Sequence, residues 1–313
     1  MEIMFLKKSL SLTMVIIFIS TTILVQFSLA ADVSQANLLD DLMLIEITLY
    51  GQESESPLIE RVEYLEKELV GRTLPGTISN RTKQLKEFII SGSLEDPSVV
   101  FKINVSQWIL EDSITKEPIA VRIENLETKL FGEISSDVLA MRAESIFDVC
   151  FKGGKPQVEE VMLPAATLIP IRFPNELSSK KNETGETFEI EITENIYFED
   201  KLIIPANTVA TGKIVKAKKA SVLLQKGKLE LKFDSVSALD GTMLNLILGE
   251  EAEKENERIA VAVGVGILGL IVLSNPVGLI AGALVPGKNV TIEEGTEMFL
   301  QVEKDTLVIG LLQ

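Results

Sequence analysis

PLIERVEYLEKELVG, residues 57–71, aligns without a gap to PIAVRIENLETKLFG, residues 118–132. Arg61 falls on Arg122, Leu65-Glu66 on Leu126-Glu127 and Gly71 on Gly132, an offset of 61 that also carries Arg81 to Arg142. Inside each copy runs a half-period of 20, from Arg61 and Leu65 to Arg81 and Leu85, and from Arg122 and Leu126 to Arg142 and Ile146. Self-similarity at such periods requires a supersecondary unit that buries its apolar face by stacking on a neighbour. The unit is helical. Leu38, Leu42, Ile45 and Leu49 recur at helical spacing, as do Leu58, Val62, Leu65 and Leu69. Ser56-Pro57 reads as N-cap and first helical residue, Gly71 as a stop, and Glu63 with Lys67 as an outward i,i+4 pair. A helical repeat domain is therefore expected over 35–150, with copies near 44–92 and 105–150.

Between the copies, Asp96-Pro97-Ser98 and the β-branched run Val99-Val100-Phe101-Lys102-Ile103 predict a loop and a short extended piece. Trp108 aligns with Ile47 and is expected as a core aromatic. The four arginines, Arg61, Arg81, Arg122 and Arg142, have two readings: a groove that docks an acidic partner, or ion pairs with glutamates of the neighbouring repeat such as Glu46 and Glu66.

A formal charge of −16 argues against a protein that tracks phosphates, which needs clustered Lys and Arg. The chain has no histidine, which removes His-based triads, HExxH zinc sites and the usual base near neutral pH. The one cysteine, Cys150, cannot form an internal disulfide and reads as a small core thiol. At the N-terminus, Lys7 and Lys8 precede an apolar run, Leu10–Leu24, and Ser28-Leu29-Ala30 places small residues before Ala31. That is the pattern of a secretory signal over 1–30, or of an uncleaved anchor, so the rest of the chain is expected to be exported.

At Gly153-Gly154-Lys155-Pro156 the helical period gives way to period two. Phe188, Ile190 and Ile192 alternate with Glu189, Glu191 and Thr193; Leu229, Leu231 and Phe233 alternate with Glu230 and Lys232. Asp240-Gly241 is a hairpin signal. A turn motif recurs three times, as Leu163-Pro164-Ala165-Ala166-Thr167, Ile204-Pro205-Ala206-Asn207-Thr208 and Ile292-Glu293-Glu294-Gly295-Thr296, each time feeding an alternating run. The fold class expected is α+β in two domains. A helical repeat module precedes an antiparallel β-barrel or sandwich, 158–313, with an apolar Gly-rich hairpin insert at 259–285.

Leu-Pro-Ala-x-Thr-Leu-Ile-Pro, then Leu-Ile-Ile-Pro-Ala-x-Thr followed by Gly212, resembles the barrel core of VirB10/TrbI-type bacterial envelope proteins. The resemblance covers roughly 160–313. It implies a barrel from which an apolar helical hairpin projects, with hairpins from many copies lining an outer-membrane opening. The helical units similarly resemble the R-[LV]-x-x-L-E-x-x-[LV]-[FY]-G repeats of exported bacterial proteins, over about 44–147. Where the VirB10-like family carries a long proline-rich region and a cytoplasmic segment, the residues before 160 are expected to form helical repeats instead.

The insert, IAVAVGVGILGLIVLSNPVGLIAGALV, carries no charge and is interrupted at Ser274-Asn275-Pro276. Gly264, Gly266 and Gly269 satisfy GxGxxG, but the residues after them are apolar all round and the flanking chain is antiparallel-type β, so a dinucleotide site is not expected. As helices, the arms before and after the break would span about 24 Å and 15 Å, short of a roughly 30 Å hydrocarbon core. If the last strands join the same sheet as the earlier ones, the chain must return to the side it left. Gly278 and Gly282 form a small-xxx-small pair. Ile259, Val263, Gly264, Gly266, Gly269, Leu273, Pro276, Gly278 and Gly282 are the candidate membrane or oligomer contacts.

The sequence thus predicts a non-enzymatic exported cell-envelope protein, a scaffold or membrane-associated assembly component without cofactor or metal. Its expected partners are envelope proteins or further copies of itself, not nucleic acid. Two alternatives stay open: a wall-polymer enzyme using a carboxylate pair, for which no spacing singles out two residues, and a soluble extracytoplasmic binding module.

Overall fold

The computed structural model describes residues 37–151, 156–220, 227–263, 272–273, 280–281 and 289–312. The signal segment and most of the apolar insert lie outside the described residues. The architecture is α+β: helices run through 37–151, and an antiparallel sheet nearly closed into a barrel follows. The chain forms two compact units, Met1–Lys86 and Glu87–Gln313.

In the first unit, helix α1 (37–50) is followed by α2 (Leu58–Val70) and α3 (Ile78–Lys86). The predicted faces are the buried ones: Leu42, Ile45 and Leu49 on α1, and Val62, Leu65 and Leu69 on α2. Gly71 ends α2 in the left-handed conformation, φ 70°, where glycine has no Cβ to clash. The N-terminal expectation is off by one residue. Pro57, not Ser56, occupies the capping position, and no side chain closes it; Pro118 does the same in the second copy.

The second unit opens with a π-turn, Glu87–Ser91, and then α4 (Val99–Glu111), α5 (Ile119–Phe131) and α6 (Leu139–Phe151). Helix α4 corrects the loop and extended piece expected there. Ser98 caps it, its Oγ accepting the Phe101 N–H at 3.1 Å. Residues 99 to 107 are all buried, so α4 has no polar stripe and its helical period is invisible.

The strands are short and every described pairing is antiparallel. In chain order come β1 (Val158–Leu163), β2 (Leu168–Arg172), β3 (Leu177–Ser178), β4 (Thr187–Ile192) and β5 (Ile196–Phe198). Next are β6 (Lys201–Ile204), β7 (Val209–Lys218), β8 (Lys228–Phe233), β9 (Ser235–Ser237) and β10 (Met243–Ile247). After helix α7 (Glu250–Val263) lie β11 (Val272–Leu273), β12 (Ile280–Ala281), β13 (Thr291–Ile292), β14 (Glu297–Val302) and β15 (Thr306–Leu312).

The main sheet runs β11-β12-β8-β7-β4-β2-β14-β10-β9, and a second runs β1-β15-β6-β5. Only Asp234 separates β8 from β9. Its N–H donates to Thr211 O at 2.9 Å and its carboxylate accepts from Thr211 Oγ1 at 3.0 Å. One run of chain thus pairs with β7 through β8 and with β10 through β9, which brings the sheet nearly round on itself. Ile169, Ile171, Ile190, Ile192, Leu231 and Leu300 are fully buried in its core, as the alternation predicts.

The three recurrent turns share one geometry. Ala166, Asn207 and Gly295 each take positive φ, 63°, 58° and 79°. Thr167, Thr208 and Thr296 each donate Oγ1–H to the carbonyl three residues back, at 2.7, 2.7 and 2.6 Å. Positive φ at the third position is the type II requirement, and the threonine locks the turn as the chain enters a strand.

The change of pattern at Gly153 marks a change of secondary structure rather than an edge of packing. Phe101, Val105, Ile114 and Phe147 from the helices share a core with Leu202, Leu239 and Leu311 from the β-rich part.

Candidate functional site

Two features singled out in the sequence have described geometry: the arginines, and the flanks of the apolar stretch.

Each inner helix of a copy carries an arginine and, five residues on, a position that faces the next helix. Arg61 donates from Nε to Glu46 Oε1 at 2.9 Å and from Nη2 to Glu46 Oε2 at 2.7 Å. Its Nη2 also reaches Glu53 at 3.0 Å. Five residues after Arg61, Glu66 accepts Arg81 the same way, at 2.7 and 2.5 Å. In the second copy Glu127, five after Arg122, accepts Arg142 at 2.7 to 3.1 Å. In these three pairs the glutamate that meets both Nε and Nη2 stands fifteen residues before its arginine. This is the fork-to-carboxylate geometry that makes arginine pairs strong and directional.

The rows end where the fifth residue changes type. After Arg81 that residue is Lys86, which pairs back with Asp41 at 2.6 Å; after Arg142 it is the buried Phe147.

The charges respond to these contacts. The Glu46 hydrogen bond outweighs burial and raises the Arg61 guanidinium above its ordinary value. Burial alone would raise the Glu66 carboxyl, but hydrogen bonds from Arg81 and the Leu74 N–H, with the Arg81 charge, hold it below the usual range.

Arg122 departs from the pattern. The residue fifteen earlier is Gln107, whose Oε1 accepts Nε–H at 2.7 Å, while Asn104 Oδ1 accepts from Nη2 at 2.9 Å. Gln107 Nε2 then donates to Glu111 Oε2 at 2.9 Å and to Thr115 Oγ1 at 3.2 Å. With no carboxylate in direct contact, burial pulls the guanidinium down to about 10, opposed by the charges of Glu111 and Glu117.

Arg61, Arg81 and Arg122 are buried and Arg142 nearly so. The docking reading is corrected accordingly: a guanidinium spent on a buried partner inside the helical stack is not offered to a ligand. The glutamate pairing weighed for them is the arrangement at Arg61, Arg81 and Arg142.

The apolar stretch is described in part. Ile259 is half-buried on α7, whose backbone continues to Val263, and Leu273 lies in β11. Gly264, Gly266, Gly269, Pro276, Gly278 and Gly282 lie outside the described residues. Strand β12 pairs with β8, Ile280 opposite Leu231, and with β11 on its other side.

Both flanks are fixed to the β-rich body. Gln301 on β14 accepts the Glu251 and Ala252 N–H groups through Oε1 at 3.0 Å each, and so caps α7. One turn on, Asn256 makes a two-way bond to the β14 backbone, with Phe299 N at 2.7 Å and Phe299 O at 2.9 Å. On the far side, Val290 is buried and exchanges bonds with Ser179, and β13 pairs with β3. No described helix is long and apolar enough to cross a membrane.

Cys150 is half-buried on α6; burial raises its thiol, against a weak contact to Ser106 O. That environment disfavours the thiolate. Among the described residues no cluster of acidic or thiol side chains could hold a metal ion. No known family model matches the chain, and comparison with curated proteins finds no relative.

The bonds from Asn104 and Gln107 to Arg122 are what the sequence reading missed. The signal was present, because the offset of 61 carries Glu46 onto Gln107.

Proposed function

We propose that this is a non-enzymatic, exported cell-envelope protein that acts as a scaffold or assembly component. In this reading the stretch 259–285 is an apolar hairpin whose described strands, β11 and β12, extend the main sheet at β8, and it contacts lipid or other copies. The observation that supports it is the seating of both flanks on one body, α7 on β14 and the Val290–Ile292 segment on Ser179 and β3. A chain fixed at both ends to one body cannot cross a bilayer once and stay across. Uncharged, glycine-rich segments of this length on exported proteins are seldom left in water. The three proline- or glycine-set turns fit the envelope-barrel resemblance, whose hairpins assemble between subunits.

Carbonate extraction of envelopes from producing cells tests the reading. Retention of the full chain in the membrane or in a large assembly, with loss of both on deletion of 259–285, is the expected result. A chain that washes off as a soluble monomer, or a deletion that changes neither location nor size, sinks it.

A further inference from the structure

The two helical copies present outer faces of different fate. In the second copy α4 is covered by the β-rich body. Phe101, Val105 and Trp108 pack toward Leu202, Leu239 and Leu311, and Asn104 Nδ2 donates to Leu239 O at 3.0 Å. Val100 lies so close to the β9–β10 turn that a side chain at Gly241 would collide with it.

Moved back by the repeat offset of 61, Val100, Asn104, Val105 and Trp108 become Leu39, Met43, Leu44 and Ile47 on α1. These four sit on one face and are 42, 37, 43 and 46% exposed. Here that face keeps the apolar character of one that seats a sheet.

The matching surface is also in view. On β1 and β15 the cross-strand neighbours along one face are Val158 with Leu311, Glu160 with Ile309, and Met162 with Leu307. Val158, Ile309 and Leu311 belong to the core beneath the helices of the second copy. Met162 and Leu307 continue the same face beyond that cover and are 54 and 51% exposed.

We propose that the α1 face of one copy docks on the Met162–Leu307 end of this sheet face in a second copy. It repeats between molecules the helix-on-sheet contact that α4 makes within one. The two patches differ, so the contact is heterologous and propagates head to tail. Each patch is small against the roughly 1,200 Å² of a stable interface, so association is weak and concentration-dependent. The proposal does not depend on the export reading or on residues 259–285.

The test is disulfide trapping in full chains carrying Cys150→Ala. One tagged chain bears Ile47→Cys and a differently tagged chain bears Leu307→Cys, both at exposed sites, with helicity checked by circular dichroism. A covalent product containing both tags, formed only when the two chains are mixed, is expected. Adding Met43→Glu to the first chain should cut its yield by about fivefold or more, the loss of a contact worth at least a modest hot spot. Val121→Glu, at another exposed apolar position, should leave it unchanged. Four results overturn the proposal. Self-linkage of the Ile47→Cys chain alone means α1 pairs with α1, and self-linkage of the Leu307→Cys chain means sheet pairs with sheet. A chain bearing both cysteines that links only within itself means the contact is internal. No product at any concentration means the face is empty or covered by something else, lipid included.

Discussion

In the first copy Arg61 meets a carboxylate on Glu46, and one turn further along α1 stands the phenol of Tyr50. In the second copy the corresponding positions are Gln107 and Glu111. The carboxylate has moved one helical turn away from the arginine, and an amide stands between them. Gln107 faces its oxygen to Arg122 and its NH2 to Glu111, so the charge is passed on rather than met. The exchange falls at the rung whose helix seats on the sheet. There Asn104 splits its amide likewise, oxygen to Arg122 and NH2 to the Leu239 carbonyl. A direct ion pair satisfies two residues; a pair of amides satisfies the arginine and still leaves donors for the helix's next contact. The free rung uses charge, and the anchored rung uses dipoles that reach further.

The largest effect should come from breaking a direct pair. Glu66→Ala leaves Arg81 buried without its acceptor and should cost about 3–5 kcal/mol in denaturant unfolding, enough to melt the first unit. The pH dependence follows from the same group. Glu66 titrates below its usual 4.5 when folded, so the unfolded chain takes up its proton first. Its contribution is complete above that value and drains away as the pH falls through it toward the folded value. Glu66→Gln should flatten this acid limb of the stability curve.

Asn104→Leu comes next. It removes an acceptor from a buried guanidinium and the donor to Leu239 O, for about 2–3 kcal/mol, and loosens α4 from the β-rich body. Hydrogen exchange should rise across α4 and the β9–β10 turn together; a rise confined to α4 would mean that the Leu239 bond does not couple them.

Gln107→Glu tests the relay. It supplies the carboxylate found in the other rungs but aims it at Glu111, for a net loss of about 1 kcal/mol. Glu111→Gln in the same chain should restore stability, giving a favourable coupling of about 1–2 kcal/mol in a double-mutant cycle. Additive effects would show that Glu111 plays no part in holding the rung.

Smallest of all, Met43→Gln on the α1 face should change the stability of the dilute chain by less than about 0.5 kcal/mol, although its counterpart Asn104 is an anchor.

The repeats, the buried faces of α1 and α2, the Gly71 stop and the alternating strands were legible because each is a local pattern read in a short window. Helix α4 was not. Val99-Val100-Phe101 reads as extended only while nothing is known of the cover on both its sides; burial erases the polar stripe that marks a helix. The arginine pairs were legible as one of two readings, since a fifteen-residue separation between Arg and Glu is visible in the chain but its geometry is not. The β8–β9 exchange between neighbours and the partnership of β1 with β15 depend on contacts far apart in sequence, which no local period reports.

That last partnership governs the order in which the molecule can assemble. Val158 lies opposite Leu311, and Leu163 opposite Thr306, so the first strand of the β-rich part waits for the last. The helices form from neighbours and can close early, whereas the second sheet pays its loop-closure entropy only when Thr306–Leu312 arrive from far along the chain. Until then β1 is a bare edge ready to pair with the wrong chain. Removing Thr306–Leu312 would leave it so permanently, along with the side of β6 that β15 covers.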